Sequence, residues 1–289
     1  MALSWDFSEI GRVKEEVAGP LEIDTVQHDP WQAASFPVPK ALLGTVNEML
    51  RERINMGILE PCKGPYRNPW FLVKKSNGKY RLINAAMNIN RVTIKDANLP
   101  PNPDEFAEEF AGMAIGSYID LFSGYDQLPL DKKSRDMTAI STPLGLLRQT
   151  TLLQGATNSV AQFVRVVSLI LRELIPDIAL PYVDDIGVKG PKSRYNDEEV
   201  PELPGVRRFV FEHLQNLDRV LAELERAGTT ISAEKSHFCS AGMKIVGFVC
   251  DYEGRHPDQG KVSKILLWPD CRNVSDARAF MSVCVYYRI

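Results

Sequence analysis

The chain has 289 residues, a formal net charge of −3 and 44% hydrophobic residues, which is the composition of a globular protein with a sizeable core. Its five cysteines are widely spaced and form no CxxC pair, so neither a disulfide framework nor a zinc site is indicated, and a reducing compartment is expected. The first residues lack the pattern of a signal peptide, and no stretch approaches the roughly 20 apolar residues that span a bilayer, so no membrane role is expected.

The N-terminal region and the first helix differ clearly in pattern. Residues 1–39 carry several prolines and little periodicity, so we expect an extended arm ahead of the folded body. Apolar residues then recur at helical spacing from Leu43 to Ile54, and Gly57 follows as a stop signal. The folded body is therefore expected to begin near Ala41.

A basic stretch with interleaved aromatic residues lies between residues 63 and 95 and contains no Asp or Glu. Two strand-like runs within it, 70–75 and 79–84, are joined by Ser76-Asn77-Gly78, and Asn-Gly is a strong hairpin signal. Its cations are Lys63, Arg67, Lys74, Lys75, Lys79, Arg81, Arg91 and Lys95. In an acidic chain this stretch indicates a local anion site, with a solvated strand face that aids solubility as the alternative.

The remainder of the chain is predicted to mix strands and helices. The expected helices cover residues 106–110, 160–174, 207–227, 259–267 and 275–287. The expected strands cover residues 116–122, 138–141, 147–153, 178–181, 186–188 and 244–250, with another near Arg255. Asn158 or Ser159 is the expected cap of the core helix 160–174, Gly228 is the stop of helix 207–227, and residues 189–206 are typical of an exposed loop insertion.

Acidic residues occupy the turn of one predicted hairpin. Tyr182-Val183-Asp184-Asp185 lies between two apolar runs, and like charges this close raise each other's proton affinity unless a cation neutralises them. Asp is also a common turn residue, so a purely structural turn is the alternative. Asp120 ends another predicted strand, and three converging carboxylates can hold the two divalent metals of an in-line phosphoryl displacement.

These blocks together resemble the reverse transcriptases of gypsy-type LTR retrotransposons and retroviruses over residues 36–289. Residues 117–127 resemble the first catalytic block, LDLxSGYHQ; residues 152–163 resemble the element before the long helix; and residues 182–185 match the Y-x-D-D hairpin. The resemblance implies an α+β right-hand polymerase fold and RNA-directed DNA polymerase activity. It also implies as partners a primer on an RNA or DNA template and deoxynucleoside triphosphates.

The resemblance assigns roles residue by residue. Asp120, Asp184 and Asp185, with the Leu121 carbonyl, would bind two Mg²⁺ ions, with Mn²⁺ as an alternative. Tyr125 would be a steric gate against a 2′-hydroxyl, and Gln154 would contact the sugar or the 3′-hydroxyl. Lys75 and Arg81 would contact the triphosphate. The primer grip would consist of Lys244, Ile245, Val246 and Gly247. For the last group a plain edge hairpin is the alternative, and Lys74 and Lys79 are expected to be solvated.

The implied domains follow the same resemblance. Residues 1–39 form the arm, 40–94 and 128–158 the fingers, 95–127 and 159–254 the palm, and 255–289 the start of a truncated thumb. Ribonuclease H and integrase domains of a common polyprotein are expected outside this chain. The expected location is the cytoplasm, within a virus-like particle, or the nucleus.

Two features depart from the family pattern. Ala85-Ala86-Met87 stands where an acid, an aromatic residue and an arginine are usual, and the 189–206 segment is longer than the usual connection. The alternative function is a truncated or degenerate retroelement remnant that folds or binds nucleic acid without catalysis. A structural protein with an Asp turn and no polymerase ancestry is the third hypothesis.

Overall fold

A computed structural model of the chain describes residues 3–75, 78–98 and 100–286. The Ser76-Asn77 part of the predicted hairpin turn and Tyr287, the last residue of the predicted C-terminal helix, lie outside these ranges. Within them, no helix combines the length and the apolar composition needed to cross a bilayer.

The described residues form helices and strands throughout the chain. The helices are Leu43–Asn55 (α1), Met87–Val92 (α2), Pro103–Glu108 (α3), Lys132–Arg135 (α4), Ser159–Ile170 (α5), Arg208–Ala227 (α6), Gln259–Leu266 (α7) and Val274–Tyr286 (α8). The first strands are Leu3–Ser4 (β1), Leu59–Pro61 (β2), Trp70–Lys74 (β3), Tyr80–Asn84 (β4), Gly116–Asp120 (β5), Ile140–Thr142 (β6) and Gly145–Gln149 (β7). The later strands are Ala179–Tyr182 (β8), Asp185–Val188 (β9), Ile231–Ser232 (β10), His237–Ser240 (β11), Gly242–Ile245 (β12), Phe248–Asp251 (β13) and Gly254–Pro257 (β14).

A four-stranded antiparallel sheet with the strand order β11-β5-β9-β8 carries the predicted acids. The pairing of β5 with β9 places Asp120 directly opposite Asp185, and β8 pairs Tyr182 with the same residue. Directly paired residues of antiparallel strands have Cβ atoms about 4.5–5.5 Å apart. The register therefore brings the acids to one end of the sheet.

Helices α5 and α6 bury apolar stripes in one core with that sheet. The core includes Phe163, Val167 and Ile170 from α5, Leu217, Val220 and Leu224 from α6, and Ile119, Ile186 and Val188 from the strands. The predicted helix stop at Gly228 is confirmed: its φ of +80° is in the left-handed region that glycine adopts without steric cost. Asn158 precedes α5 as predicted, although its side chain bonds Asp96 N and Ile94 O instead of capping the helix.

The N-terminal segment packs against this core. Leu3 pairs with Ile231 in a parallel ladder, and the Gly11 N–H donates to Thr230 Oγ1 at 3.0 Å. Val13 is only 2% exposed and belongs to the core that α5 and α6 share with the sheet. The segment expected as an arm is therefore part of the folded body along much of its length.

Helix α1 packs against two smaller sheets. One has the order β2-β7-β6 and the other is the hairpin β3-β4, whose predicted pairing is confirmed, with Val73 opposite Arg81. Val46 and Leu50 of α1 are fully buried against Trp70 and Ile140. The basic hairpin thus packs on a hydrophobic core through Trp70.

A three-stranded sheet with the order β12-β13-β14 packs on α3. Ile245 pairs with Phe248, so the turn consists of Val246 and Gly247, at φ +41° and +85°. Two successive positive φ angles are typical of the tight hairpin turns that match strand twist. The predicted strand over residues 244–250 is thus two strands and a turn.

The observed elements differ from the predicted ones where apolar spacing is a poor guide. The predicted helix 160–174 ends at Ile170, because Leu171 leaves helical geometry while Leu171 and Leu174 stay buried in the following turns. Helix α2 was not predicted because only one of its six residues, Ile89, is buried, which is too short a pattern to show periodicity.

The 189–206 segment is anchored, not free. It contains a 3₁₀ turn, Tyr195–Asp197, and a bridge between Glu199 and Arg207. The Tyr195 hydroxyl donates to Glu212 of α6 at 2.9 Å, and Val200 is 9% exposed. The expectation of an exposed loop is therefore confirmed for most of this segment, and it was wrong at Val200, which is buried.

Candidate active site

Asp184 lies at the tip of the β8–β9 hairpin. Since Tyr182 pairs with Asp185, the turn consists of Val183 and Asp184 alone. Val183 has a φ of +55°, which a β-branched residue rarely adopts, so the turn stores local strain. The Leu121 N–H donates to the Asp184 carbonyl oxygen at 3.0 Å, which fastens the tip to the end of β5.

The acids influence one another's ionisation. Burial, followed by the charges of Asp184 and Asp120, raises the pKa of Asp185 to about 6, while a hydrogen bond from the Tyr118 hydroxyl opposes the rise. Burial also raises the pKa of Asp120, and Lys235 opposes that rise. The structure thus brings together the three predicted carboxylates in surroundings that disfavour three uncompensated negative charges.

A cation missed by the sequence prediction lies beside Asp120. The Lys235 ammonium donates to both oxygens of Asp120, at 3.1 and 3.2 Å, and Asp120 is only 6% exposed. The Asp120 N–H donates a hydrogen bond to the Ser236 hydroxyl at 3.1 Å. Lys235 lies between the short strand β10 and β11, where no periodic pattern marks it, and only proximity to Asp120 in the fold reveals it.

Whether these residues fit a divalent cation depends on their donor chemistry. Within residues 3–75, 78–98 and 100–286, no three His, Cys, Asp or Glu side chains already form a group that could hold a metal ion. Asp120 faces Lys235 and Asp185 faces Tyr118 instead. The donors nevertheless fit, because carboxylate oxygens are the preferred ligands of Mg²⁺ and because Asp120 already accepts a cation in the form of an ammonium group.

Tyr125 lies close to the acids. It belongs to the 3₁₀ turn Gly124–Gln127 that follows β5, and its ring packs on Phe163 of α5 with centroids 4.8 Å apart. Burial and the charge of Asp184 raise its pKa to about 12. The predicted gate residue is therefore held rigidly within the electrostatic reach of Asp184.

Gln154 is exposed in the loop before α5. Asn90 of α2 ties that loop in place: its amide donates to the Gly155 carbonyl at 3.1 Å, and its oxygen accepts from the Thr157 N–H at 2.8 Å. Ala86, in the run that departs from the family pattern, caps α2 and is 6% exposed in a core with Ile89.

Lys75, which follows β3 in the basic hairpin, is exposed and lies near other cations. The pKa of Lys75 is lowered, first by partial loss of hydration and then by repulsion from Arg81, Lys235, Lys79 and Arg53. Lys235, one of these neighbouring cations, is the residue that binds Asp120. The side chains of Lys75 and Arg81 are both exposed, so the local anion site stays a prediction.

The predicted primer-grip residues occupy the β12–β13 hairpin. Ile245 is buried, whereas the Lys244 ammonium pairs with Asp258 at 3.1 Å. The Val246 carbonyl accepts a hydrogen bond from the Tyr286 hydroxyl, and the Gly247 carbonyl accepts one from the Asp258 N–H at 3.2 Å. Contacts from the C-terminal part of the chain thus hold the turn on two sides.

Comparison with known proteins agrees with this geometry. Residues 73–250 match the family model described as reverse transcriptase (RNA-dependent DNA polymerase). The chain belongs to the reverse transcriptase family. Members of this family generally use divalent metal ions, which agrees with the donor chemistry of the three acids.

Reverse transcriptase relatives include several Pol polyproteins. The chain is 31% identical over 278 residues to the retrovirus-related Pol polyprotein from transposon opus of Drosophila melanogaster, which covers 94% of this chain and 26% of that polyprotein. It is 27% identical over 273 residues to the polyprotein from transposon gypsy of the same fly, covering 92% and 25%. The chain thus spans about a quarter of the length of these relatives.

Solved reverse transcriptase structures confirm the predicted fold. The foamy viral protease-reverse transcriptase in complex with double-stranded DNA superimposes with a TM-score of 0.84 at 21% identity, covering 98% of this chain and 47% of that one. The same viral protein in complex with an RNA/DNA hybrid gives a TM-score of 0.80. The α+β right-hand polymerase fold predicted from the motifs is therefore correct.

Proposed function

We propose that this chain is the polymerase segment of a retrotransposon Pol polyprotein and extends a DNA primer on an RNA template by adding deoxynucleotides. The observation that carries the proposal is the register of the four-stranded sheet: it sets Asp120 opposite Asp185, with Asp184 fastened beside them. The family match and the retrotransposon relatives support the same activity.

The three acids would hold two Mg²⁺ ions, or Mn²⁺ in their place, together with the Leu121 carbonyl. Bound there, such ions lower the pKa of the primer 3′-hydroxyl and neutralise charge on the attacking and leaving oxygens. Asp120 and Asp185 supply carboxylates from paired strands, so a rigid backbone ladder sets their separation. Lys235 keeps Asp120 compensated before any ion binds.

The basic hairpin, β3-β4, would bind the triphosphate. Lys75 offers a compact charge and Arg81 a planar fork, both of which suit phosphate oxygens. Because Lys75 is repelled by Arg81 and Lys235, an anion between these cations relieves that repulsion. Gln154 would contact the sugar or the 3′-hydroxyl from a loop that Asn90 holds.

Two further groups of residues would select the sugar of the incoming nucleotide and hold the primer. Tyr125, packed on Phe163, would block a 2′-hydroxyl. The hairpin with Lys244, Ile245, Val246 and Gly247 would hold the primer backbone so that its 3′-hydroxyl lies in line for attack. We also propose that ribonuclease H and integrase domains accompany this segment in its polyprotein, and that it acts in a cytoplasmic virus-like particle or in the nucleus.

Primer extension on an RNA template with Mg²⁺ tests the proposal. We expect Asp184→Asn to abolish extension while the folded structure, followed by circular dichroism, is unchanged. Asp218→Asn, on the exposed side of α6, is the matched control and should extend as wild type does. Equal extension by Asp184→Asn and wild type would contradict the assignment, whereas a folded wild-type chain that binds the primer without extending it would support the remnant hypothesis.

A further inference from the structure

Tyr118 lies in β5, two residues before Asp120, and is paired with a residue of each neighbouring strand. In the register of the sheet it pairs with Gly187 of β9 on one side and with His237 of β11 on the other. Its hydroxyl donates a hydrogen bond to Oδ1 of Asp185. Asp185 lies two residues from Gly187 in β9, which is the diagonal neighbour that a long side chain can reach across antiparallel strands.

The surroundings hold the Tyr118 ring in this direction. The side chain packs against the core formed by Phe110, Met243 and Ile245, and the His237 ring stacks on it with centroids 6.4 Å apart. Gly187, directly opposite, leaves space for Phe110: a Cβ built there would lie 2.2 Å from the Phe110 ring. The phenol therefore has little freedom to turn away from Asp185.

We propose that Tyr118 is a positioning residue for metal binding, whose hydroxyl holds one oxygen of Asp185 so that the other oxygen can bind a metal ion. The inference rests on the proposed function, since it concerns the carboxylates of that site. A group that orients a metal ligand through a hydrogen bond typically changes metal affinity by about 10- to 100-fold when it is removed.

A packing role alone gives a different expectation. Tyr118→Phe keeps the ring and its contacts with Phe110, Met243 and His237, and removes only the hydroxyl. If the ring matters only as a core side chain, this variant binds metal as wild type does. If the hydroxyl positions Asp185, metal binding weakens while the fold is kept.

The test is Mn²⁺ binding by the full chain, followed by electron paramagnetic resonance of free Mn²⁺, without nucleotide or primer. We expect Tyr118→Phe to bind Mn²⁺ at least about tenfold more weakly than wild type. Tyr195→Phe is the matched control, because it removes another tyrosine-to-carboxylate hydrogen bond, the one to Glu212, which involves none of the three acids. Unchanged or tighter binding by Tyr118→Phe overturns the proposal.

A second comparison separates positioning from a general loss of structure. If the hydroxyl acts through Asp185, adding Tyr118→Phe to Asp185→Asn should not weaken Mn²⁺ binding further; a full additional loss would show that Tyr118 acts elsewhere and would overturn the proposal. Wild type that binds no Mn²⁺ would overturn the proposed function together with this inference. Wild type that binds, with Tyr118→Phe equal to it, would overturn this inference alone.

Discussion

The Lys235 ammonium lies 3.1 Å from one carboxylate oxygen of Asp120 and 3.2 Å from the other, so a positive charge of the chain itself compensates the most buried of the three acids. Removing one partner of a buried ion pair leaves an uncompensated charge, which is costly. The Lys235 side chain is largely exposed, so solvent screens the pair in part.

Lys235→Met is therefore expected to lower the free energy of unfolding by about 1 kcal/mol when divalent metal is chelated. Saturating Mg²⁺ should reduce that loss, since a bound ion takes over the compensation of Asp120. Denaturant unfolding with EDTA and with Mg²⁺ measures both values. The control is Lys244→Met, whose ion pair with Asp258 lies outside the acid cluster and whose effect should be the same in both buffers.

The pKa of about 6 at Asp185 predicts a pH dependence of stability. Because the folded state binds this proton more tightly than the unfolded state does, its contribution is present at acid pH and is lost as the pH rises from about 4 to about 6. Asp185→Asn has no such ionisation, so its stability relative to wild type should increase by about 2 kcal/mol between pH 4 and pH 7. Unfolding both proteins across this range in EDTA checks the value, and parallel curves would contradict it.

Lys75→Ala is expected to lower kcat/KM for deoxynucleoside triphosphates by about 10- to 100-fold, the range of a lost charge-assisted hydrogen bond. Steady-state primer extension gives the ratio. Lys74→Ala is the neighbouring control, predicted to remain within about twofold of wild type because its side chain is expected to be solvated. Similar losses in both variants would point to a general effect of hairpin charge instead of a specific triphosphate contact.

Tyr125→Ala is expected to raise the efficiency of ribonucleotide incorporation relative to deoxynucleotide incorporation by at least about tenfold, because it removes the ring that would collide with a 2′-hydroxyl. Tyr125→Phe keeps the ring against Phe163 and should retain wild-type selectivity. Competition between the two sugars at one template position measures the ratio. A selectivity equal in all three proteins would remove Tyr125 from the gate role.

Much of the fold follows from local patterns in the sequence. Helical spacing from Leu43 to Ile54 and the apolar stripe of α6 predict the elements that the structure contains, because these patterns depend only on one face being buried. The acids were found because Asp184 and Asp185 lie at a turn and Asp120 lies at a strand end. Strand pairing then brought them together.

The contributions of Lys235 and Tyr118 could not be predicted in this way. Lys235 binds Asp120 across 115 positions of the chain, and such a contact leaves no periodic signal near either residue. Tyr118 fits an ordinary strand pattern, and only the register with Gly187 and the bond to Asp185 distinguish it. Roles that depend on tertiary contacts become visible only in the folded chain.

The packing of the N-terminal segment has a consequence for how the chain folds. The Gly11 N–H donates a hydrogen bond to Thr230 across a separation of 219 residues. Strand β1 cannot pair until its partner β10 has been synthesised. Contacts of such long range slow folding and leave early segments unpaired during synthesis. The N-terminal segment should therefore become ordered only after β10 has been synthesised, and the core that α5 and α6 share with the sheet should close only after α6 has been synthesised.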